Sequence, residues 1–100
     1  MTAMAHDPEE TVGIPIDGVL DLHTFSPKEV GRLIPAYLDE CRTRGILEVR
    51  IIHGKGTGAL RRTVQAILER LDPVACFRPA GEEEGGWGAT LVTLNKENTP

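Results

Sequence analysis

The stretch that decides the fold is residues 47–60, which read LEVRIIHGKGTGAL. Its first part, Leu47–His53, is rich in Val and Ile, as buried strands are. Glycines then alternate with other residues, and a helical stripe of apolar residues follows: Leu60, Val64, Ile67, Leu68 and Leu71. The stretch predicts a strand, a glycine loop and a helix that packs on a core. Pro73 ends this helix, because the residue before a proline avoids helical geometry.

A similar strand–helix unit precedes it. Val19–His23 alternates apolar and polar residues, which predicts strand one. Ser26, Pro27 and Glu29 then form a capping box with proline at the first helical position. Gly45 is placed to end the helix. The apolar stripe between them consists of Val30, Leu33, Ile34, Tyr37, Leu38 and Cys41.

Two more strands are predicted, Val74–Pro79 and Ala89–Leu94, with the loop Ala80–Gly88 between them. The order β-α-β-α-β-β predicts an α/β fold (an α+β two-layer sandwich) with two helices packed on a four-stranded mixed sheet. Crossover connections make strands one, two and three parallel, and strand four should run back. His23 and His53 then lie at one sheet edge, where open α/β sheets bind ligands.

Length and composition predict one globular domain. The chain has 100 residues, of which 40% are hydrophobic and 26% charged. We expect flexible tails at residues 1–12 and 96–100 and a domain at residues 13–95. The N-terminus has no apolar run of the kind found in signal peptides, and no stretch approaches a membrane span, so we expect no membrane partner. Cys41 and Cys76 are expected to be buried thiols of a cytoplasmic protein, with one disulfide between them as the alternative.

The distribution of charge limits the kind of anion that the protein can bind. The net charge is −4, which argues against a surface that coats nucleic acid nonspecifically. Removing the predicted tails leaves 11 acids and 10 bases. Lys55, Arg61 and Arg62 form a local basic group next to the glycine loop. A small phosphate site fits this pattern, whereas a broad basic surface does not.

The glycine loop comprises Gly54, Lys55, Gly56, Thr57 and Gly58. Its position before a helix start favours binding of a phosphate by free N–H groups. A tight turn that needs glycine for geometry alone is the second interpretation. The third is the dinucleotide pattern G-x-G-x-x-A, although 100 residues hold no doubly wound sheet and Arg78 stands where an acid is needed.

His23 and His53 are candidates for acid–base chemistry, since an ordinary histidine titrates near neutral pH. A structural role at the end of its strand is the alternative for each, and the functional role is favoured more for His53 than for His23. Asp21 faces away from Leu20 and Leu22 and has three open roles: to orient a histidine, to ligate a metal, or to lie in solvent. No zinc-type spacing of ligands is visible, so no cofactor is evident, and dependence on a divalent metal stays open.

Three further residues have both a plain and a functional interpretation. Arg61 and Arg62 in the first helical turn oppose the helix dipole, which suggests an external anion, although they also suit a solvated surface. Trp87 lies between glycines, either as an anchor folded onto the sheet or as a platform on which a base stacks.

Three segments together resemble the Smr (small MutS-related) domain family, in its stand-alone bacterial form. Residues 20–23 are similar to the L-D-L-H-G motif, with Thr24 in place of the glycine. Residues 52–58 are similar to the H-G-x-G motif and its flanks, and residues 85–90 to the G-G-x-G-A-T segment, with Trp87 at a position that is often small or polar. The resemblance runs from about residue 18 to residue 94 and implies a two-layer sandwich of four strands and two helices.

The resemblance implies that the protein binds or cleaves nucleic acid. Many members are nicking endonucleases of DNA, and others act on RNA. We therefore expect a nucleic-acid-binding, DNA-nicking enzyme linked to repair or recombination, with DNA favoured over RNA. The alternatives are an RNA endonuclease and a non-catalytic module that binds nucleic acid or a protein partner. The implied catalytic residues are Asp21, His23 and His53, and the implied phosphate-binding residues are Gly54, Lys55, Gly56, Thr57, Gly58, Arg61 and Arg62.

Overall fold

A computed structural model describes residues 15–54, 58–81 and 88–96 of the chain. Its elements are, in chain order, β1 (Val19–Asp21), α1 (Pro27–Thr43), β2 (Glu48–Ile52), α2 (Ala59–Arg70), β3 (Val74–Pro79) and β4 (Ala89–Leu94). This order confirms the one predicted. The predicted N-terminal tail and all of the C-terminal tail except Lys96 lie outside the described residues. None of the helices within the described ranges combines the length and apolar character needed to cross a bilayer.

The four strands form one sheet in the order β1-β2-β4-β3. β1 pairs with β2 in parallel, whereas β4 runs antiparallel to both β2 and β3. The predicted strand directions are therefore confirmed. β4 lies between β2 and β3, so the connection through α2 passes over one strand. This arrangement puts the ends of β1 and β2 and the start of β4 at the same edge.

Helix α1 begins and ends where the sequence indicates. Ser26 N–H donates to Glu29 Oε1 at 2.8 Å, and the Ser26 hydroxyl accepts from Glu29 N–H at 3.4 Å, which completes the capping box. Gly45 follows the C-terminal cap with φ +79°, a backbone conformation that favours glycine. The six residues predicted for the apolar stripe are the buried ones: Val30, Leu33, Ile34, Tyr37, Leu38 and Cys41.

One hydrophobic core joins both helices to one face of the sheet. The alternation of β1 sends Leu20 into this core and leaves Asp21 exposed. β2 contributes Val49 and Ile51 in the same way, and β4 contributes Val92 and Leu94. The opposite face of the sheet carries no helix among the described residues.

Two sequence predictions need correction. Strand one was expected to reach His23 but ends at Asp21, because the Asp21 carboxylate accepts the His23 N–H at 3.0 Å and bends the chain there. Cys76 was expected to be buried but is exposed, because it pairs with the exposed Thr93 on the face without helices. Cys41 is buried as expected, and both thiols are free.

The phenol of Tyr37 fixes the start of β1 onto α1. This fully buried side chain accepts a hydrogen bond from Gly18 N–H at 3.0 Å and donates to the Val19 carbonyl at 3.2 Å. Burial raises the pKa of Tyr37 to about 12, so the phenol keeps its proton at neutral pH. One buried hydroxyl group therefore links the start of β1 to α1.

We expect Tyr37→Phe to lower the free energy of unfolding by about 1–3 kcal/mol, because the buried Gly18 N–H loses its partner. Urea denaturation monitored by circular dichroism measures the change. Thr43→Val is the matched control, since it removes an exposed hydroxyl that bonds to the Asp39 carbonyl within α1. A loss for Tyr37→Phe no larger than that for Thr43→Val would contradict the assignment.

Candidate functional site

The candidate site lies at the edge where β1 and β2 end and β4 begins. Leu22 N–H donates to the Ile52 carbonyl at 2.9 Å, which continues the parallel pairing beyond β1. The Gly88 carbonyl accepts from both His53 N–H at 2.9 Å and Gly54 N–H at 2.8 Å. These bonds bring the segment after β1, the segment after β2 and the start of β4 together. The structure thus places His23 and His53 at the same edge, as the sequence predicts.

Asp21 and His23 form a hydrogen-bonded pair in this site. The distance from Asp21 Oδ1 to His23 Nδ1 is 2.8 Å, and the same oxygen accepts the His23 backbone N–H. The side-chain and backbone hydrogen bonds from His23 lower the pKa of Asp21 below its ordinary value. The carboxylate is therefore ionised at neutral pH, and its ionised form is favoured until the pH falls through the lowered pKa.

The pairing fixes which ring nitrogen of His23 carries a proton. An ionised carboxylate only accepts hydrogen bonds, so Nδ1 is the donor and the neutral ring has its lone pair on Nε2. The side chains of His23 and Asp21 are 73% and 47% exposed, which leaves Nε2 accessible from solvent. Of the three roles considered for Asp21, this geometry fits orientation of a histidine. No group of three or more potential metal ligands occurs within the described residues.

His53 is held far more closely than His23. Its residue is 7% exposed, and its ring lies between Gly54 and Thr90. Nδ1 is 3.0 Å from the Gly54 carbonyl oxygen, and Nε2 is 2.9 Å from Thr90 Oγ1. A carbonyl oxygen only accepts, so Nδ1 carries the proton and the Thr90 hydroxyl donates to Nε2 of the neutral ring. Both ring nitrogens are therefore engaged within the protein.

Thr90 is a site residue that sequence reasoning missed. It is fully buried, and it stands in the row of β4 that faces the core with Val92 and Leu94. The sequence contained an indication of this role, because a polar residue in an otherwise apolar row of a strand needs a buried hydrogen-bond partner. His53 is that partner, and their bond connects the segment after β2 to β4.

The start of α2 contrasts with the start of α1. Gly58 occupies the N-cap with φ +89° and has no side chain with which to cap the first N–H groups. The first turn contains no acid but carries Arg61 and Arg62, both exposed. This helix start therefore presents positive potential, whereas the capping box closes the start of α1. Three residues of the glycine loop that were predicted to bind phosphate lie outside the described residues: Lys55, Gly56 and Thr57.

An open hollow of about 400 Å³ lies beside this helix start. It is lined by His53, Gly54, Gly58 and Arg61 from the predicted site, and by Phe25, Pro27 and neighbouring residues that the sequence did not predict as site residues. Trp87, the predicted stacking residue, lies outside the described residues. The structure therefore gathers at one edge Asp21, His23, His53, Gly54, Gly58, Arg61 and Arg62.

The comparison with protein families now decides the affiliation. A family model for the Smr domain matches residues 20–95, which include β1 apart from Val19, the Asp21–His23 pair, the glycine loop and β4. The chain belongs to the Smr domain family. The crystal structure of the Smr domain of Thermus thermophilus MutS2 is similar, with a TM-score of 0.74 and 37% identity over 79% of this chain and 99% of that one.

Other relatives agree with this assignment. The crystal structure of YdaL, a stand-alone small MutS-related protein from Escherichia coli, has a TM-score of 0.75 and 26% identity over 96% of this chain and 80% of that one. Endonuclease MutS2 from Halalkalibacterium halodurans is 44% identical over 75% of this chain, and that from Halothermothrix orenii is 38% identical over 79%. This chain spans about a tenth of the length of either MutS2 protein: 10% in both cases.

We expect long-range ¹H–¹⁵N spectra of the Smr domain to show the neutral His53 ring protonated at Nδ1. Thr90→Val should shift its ring nitrogen resonances, because Nε2 loses the hydroxyl donor. Thr93→Val is the matched control, since Thr93 is exposed on the other face of the same strand. A neutral ring protonated at Nε2, or equal shifts from both variants, would contradict this geometry.

Proposed function

We propose that this Smr domain is an endonuclease that cleaves one phosphodiester bond of DNA, and that it serves DNA repair or recombination. The single observation that carries the proposal is the oriented Asp21–His23 pair beside a helix start that favours anions. The chain is also similar to the Smr domain of MutS2 and to proteins called Endonuclease MutS2, which supports cleavage of a phosphodiester bond as the reaction. Two free thiols suit the reducing cytoplasm, which we propose as its location.

His23 is the group that moves a proton in this proposal. Nε2 takes the proton of a water molecule as the water oxygen attacks phosphorus, and the negative charge of Asp21 stabilises the resulting imidazolium. The bond between phosphorus and the leaving oxygen breaks, and that oxygen takes a proton from solvent at this exposed edge. Asp21 thus orients the base and does not itself take up the proton.

His53 has a different role. The sequence hypothesis gives both histidines a part in proton transfer, one for the nucleophile and one for the leaving oxygen. The bonds of His53 to Gly54 and Thr90 favour a positioning role, because neither ring nitrogen is free to exchange a proton without breaking a contact. His53 therefore holds the first residue of the glycine loop in place.

The scissile phosphate binds at the start of α2. The backbone N–H groups there, with Arg61 and Arg62, supply donors and positive charge where the transition state gains negative charge. The remaining loop residues assigned from the sequence, Lys55, Gly56 and Thr57, complete this phosphate site in the proposal. RNA is the alternative substrate, since the same site chemistry suits either backbone.

A second candidate function is a non-catalytic interaction module. The observation that favours it is a hollow of about 600 Å³ on the face without helices, lined by Arg50, Leu91 and other residues. Nε of Arg50 is buried there without a hydrogen-bond partner among the described residues, and Val19 is 44% exposed. A stable protein complex, without detectable binding of DNA or RNA at low salt, would favour this function.

We expect His23→Ala to reduce the rate of nicking of a supercoiled plasmid by about 100- to 10,000-fold, the usual contribution of a general acid or base. His6→Ala is the matched control, because His6 lies in the predicted N-terminal tail, and it should nick at the wild-type rate. Parallel reactions with and without EDTA measure the dependence on divalent metal. Wild-type nicking by His23→Ala would refute the catalytic assignment.

The second functional prediction concerns salt. Replacing Arg61 and Arg62 by Gln should weaken DNA binding and flatten the log–log salt slope by roughly 0.9 for each lost phosphate contact. Arg44 and Arg70 serve as controls, because they lie at the C-terminal ends of α1 and α2, away from the site edge. Arg42 is unsuitable, since its bonds to the carbonyls of Asn95 and Lys96 tie α1 to the segment after β4, whereas Arg44 pairs with Glu40 one turn earlier on α1.

Fluorescence anisotropy with a short DNA duplex, measured across a range of salt concentrations, provides the slopes. The localised site predicts a changed slope for the Arg61 and Arg62 double variant alone. Equal changes from the Arg44 and Arg70 double variant would mean that charge attracts DNA diffusely, and the phosphate site would be abandoned.

A further inference from the structure

The hollow beside His53 has a lining that phosphate binding does not explain. A phosphate needs N–H donors and positive charge, which the start of α2 provides. Most of the rest of the wall is apolar and comes from the beginnings of both helices. It is formed mainly by Phe25, Pro27, Ala59 and Leu60.

Phe25 is the flat element of this wall. Its backbone N–H donates to the Leu22 carbonyl at 3.0 Å, which fixes it two positions after His23. It directly precedes the Ser26 cap, a position from which an apolar side chain packs back against its helix. Phe25 is half-buried against the core, and the hollow is lined by part of it. Local structure thus holds Phe25 in the lining of the hollow.

The charge around the hollow is arranged on one side. Arg61 lies in its lining, Arg62 is in the same helical turn, and the first turn of α2 contains no acid. Phe25 and Pro27 form the wall on the side of α1. An apolar hollow with positive charge on one side suits a nucleotide, because the flat base can contact the apolar wall while the negatively charged phosphate lies near the arginines. The volume of about 400 Å³ lies within the usual range of small-ligand sites.

We propose that this hollow is a base-binding subsite, in which one unpaired nucleobase stacks on Phe25 while its phosphate lies at the start of α2. The inference rests on the proposed function and names its substrate class: nucleic acid with an unpaired nucleotide next to the scissile bond. A base within an intact duplex is stacked and paired, so it cannot enter the hollow unless it is first flipped out of the duplex.

The subsite selects for an unpaired base more than for its identity. The uncharged polar side chains in its lining are already bonded within the protein, His53 to Gly54 and Thr90, and the Thr63 hydroxyl to the Ala59 carbonyl, and the proposal assigns the charged Arg61 to the phosphate. Recognition therefore comes from stacking, which tolerates every base. Purines should bind more tightly than pyrimidines, because their ring surface is larger.

The test uses two DNA probes that carry 2-aminopurine, a base whose fluorescence falls when it stacks. In one probe this base is unpaired at a junction, and in the other it is paired within a duplex. Wild-type protein should quench the unpaired base. Phe25→Leu should remove this quenching and weaken binding of the junction probe about tenfold, with duplex binding unchanged. Phe25→Trp, which keeps an aromatic ring, should preserve both quenching and affinity.

Phe77→Leu is the matched control, because Phe77 is also half-buried against the core but does not line the hollow. Circular dichroism checks that each variant is folded. If Phe25→Leu is not folded, the comparison of Phe25→Trp with wild type tests the subsite. Normal nicking and binding without quenching of the unpaired base, or equal effects of Phe25→Leu and Phe77→Leu, would overturn the subsite alone. Failure of wild-type protein to bind either probe would overturn the proposed function and the subsite together.

Discussion

The parallel pairing of β1 with β2 is the constraint on which the site depends. β1 has only three residues, and its register is held by the burial of Leu20 and Leu22 on either side of Asp21. A slip by one residue would bury the Asp21 carboxylate and expose two leucines, so the alternation specifies one register. The bond from Leu22 N–H to the Ile52 carbonyl then places His23 beside the segment that follows β2.

The two histidines at this edge show how local surroundings divide roles between identical side chains. His23 follows an exposed carboxylate and keeps one ring nitrogen open to solvent. His53 lies between a carbonyl and a buried hydroxyl, and both of its nitrogens are occupied. In the proposed function, the same residue type therefore transfers a proton in one position and supports the loop in the other. The glycine loop benefits from that support, because Gly54 is also tied to the Gly88 carbonyl.

Much of the fold follows from sequence patterns whose physical basis is local. The capping box at Ser26 and the apolar stripe of α1 identify a helix and its buried face without reference to the rest of the chain. Cys76 was misplaced because burial in an edge strand depends on which sheet face the helices cover. That choice is made by the whole fold. The end of β1 was misplaced because the side chain of Asp21 captures a backbone N–H, which competes with the strand ladder.

The site was predictable in its location but not in its contacts. Strand directions alone bring His23 and His53 to one edge, since parallel strands end together. The pairing of His53 with Thr90 joins residues 37 positions apart, and no sequence spacing reveals it. Phe25 escaped notice for a related reason: a lone aromatic residue before a helix cap reads as packing until the neighbouring helix start is placed beside it.

The central claim is that the candidate site at this edge of the sheet binds the nucleic acid. Mapping of backbone amide chemical shifts during titration with a short oligonucleotide tests it most directly. The account predicts shifts concentrated at residues 22–25, 53–54, 58–62 and 88–90, which the structure gathers at the end of β2. Shifts confined to the outer surface of the helices, or to the sheet face around Arg50, would contradict it.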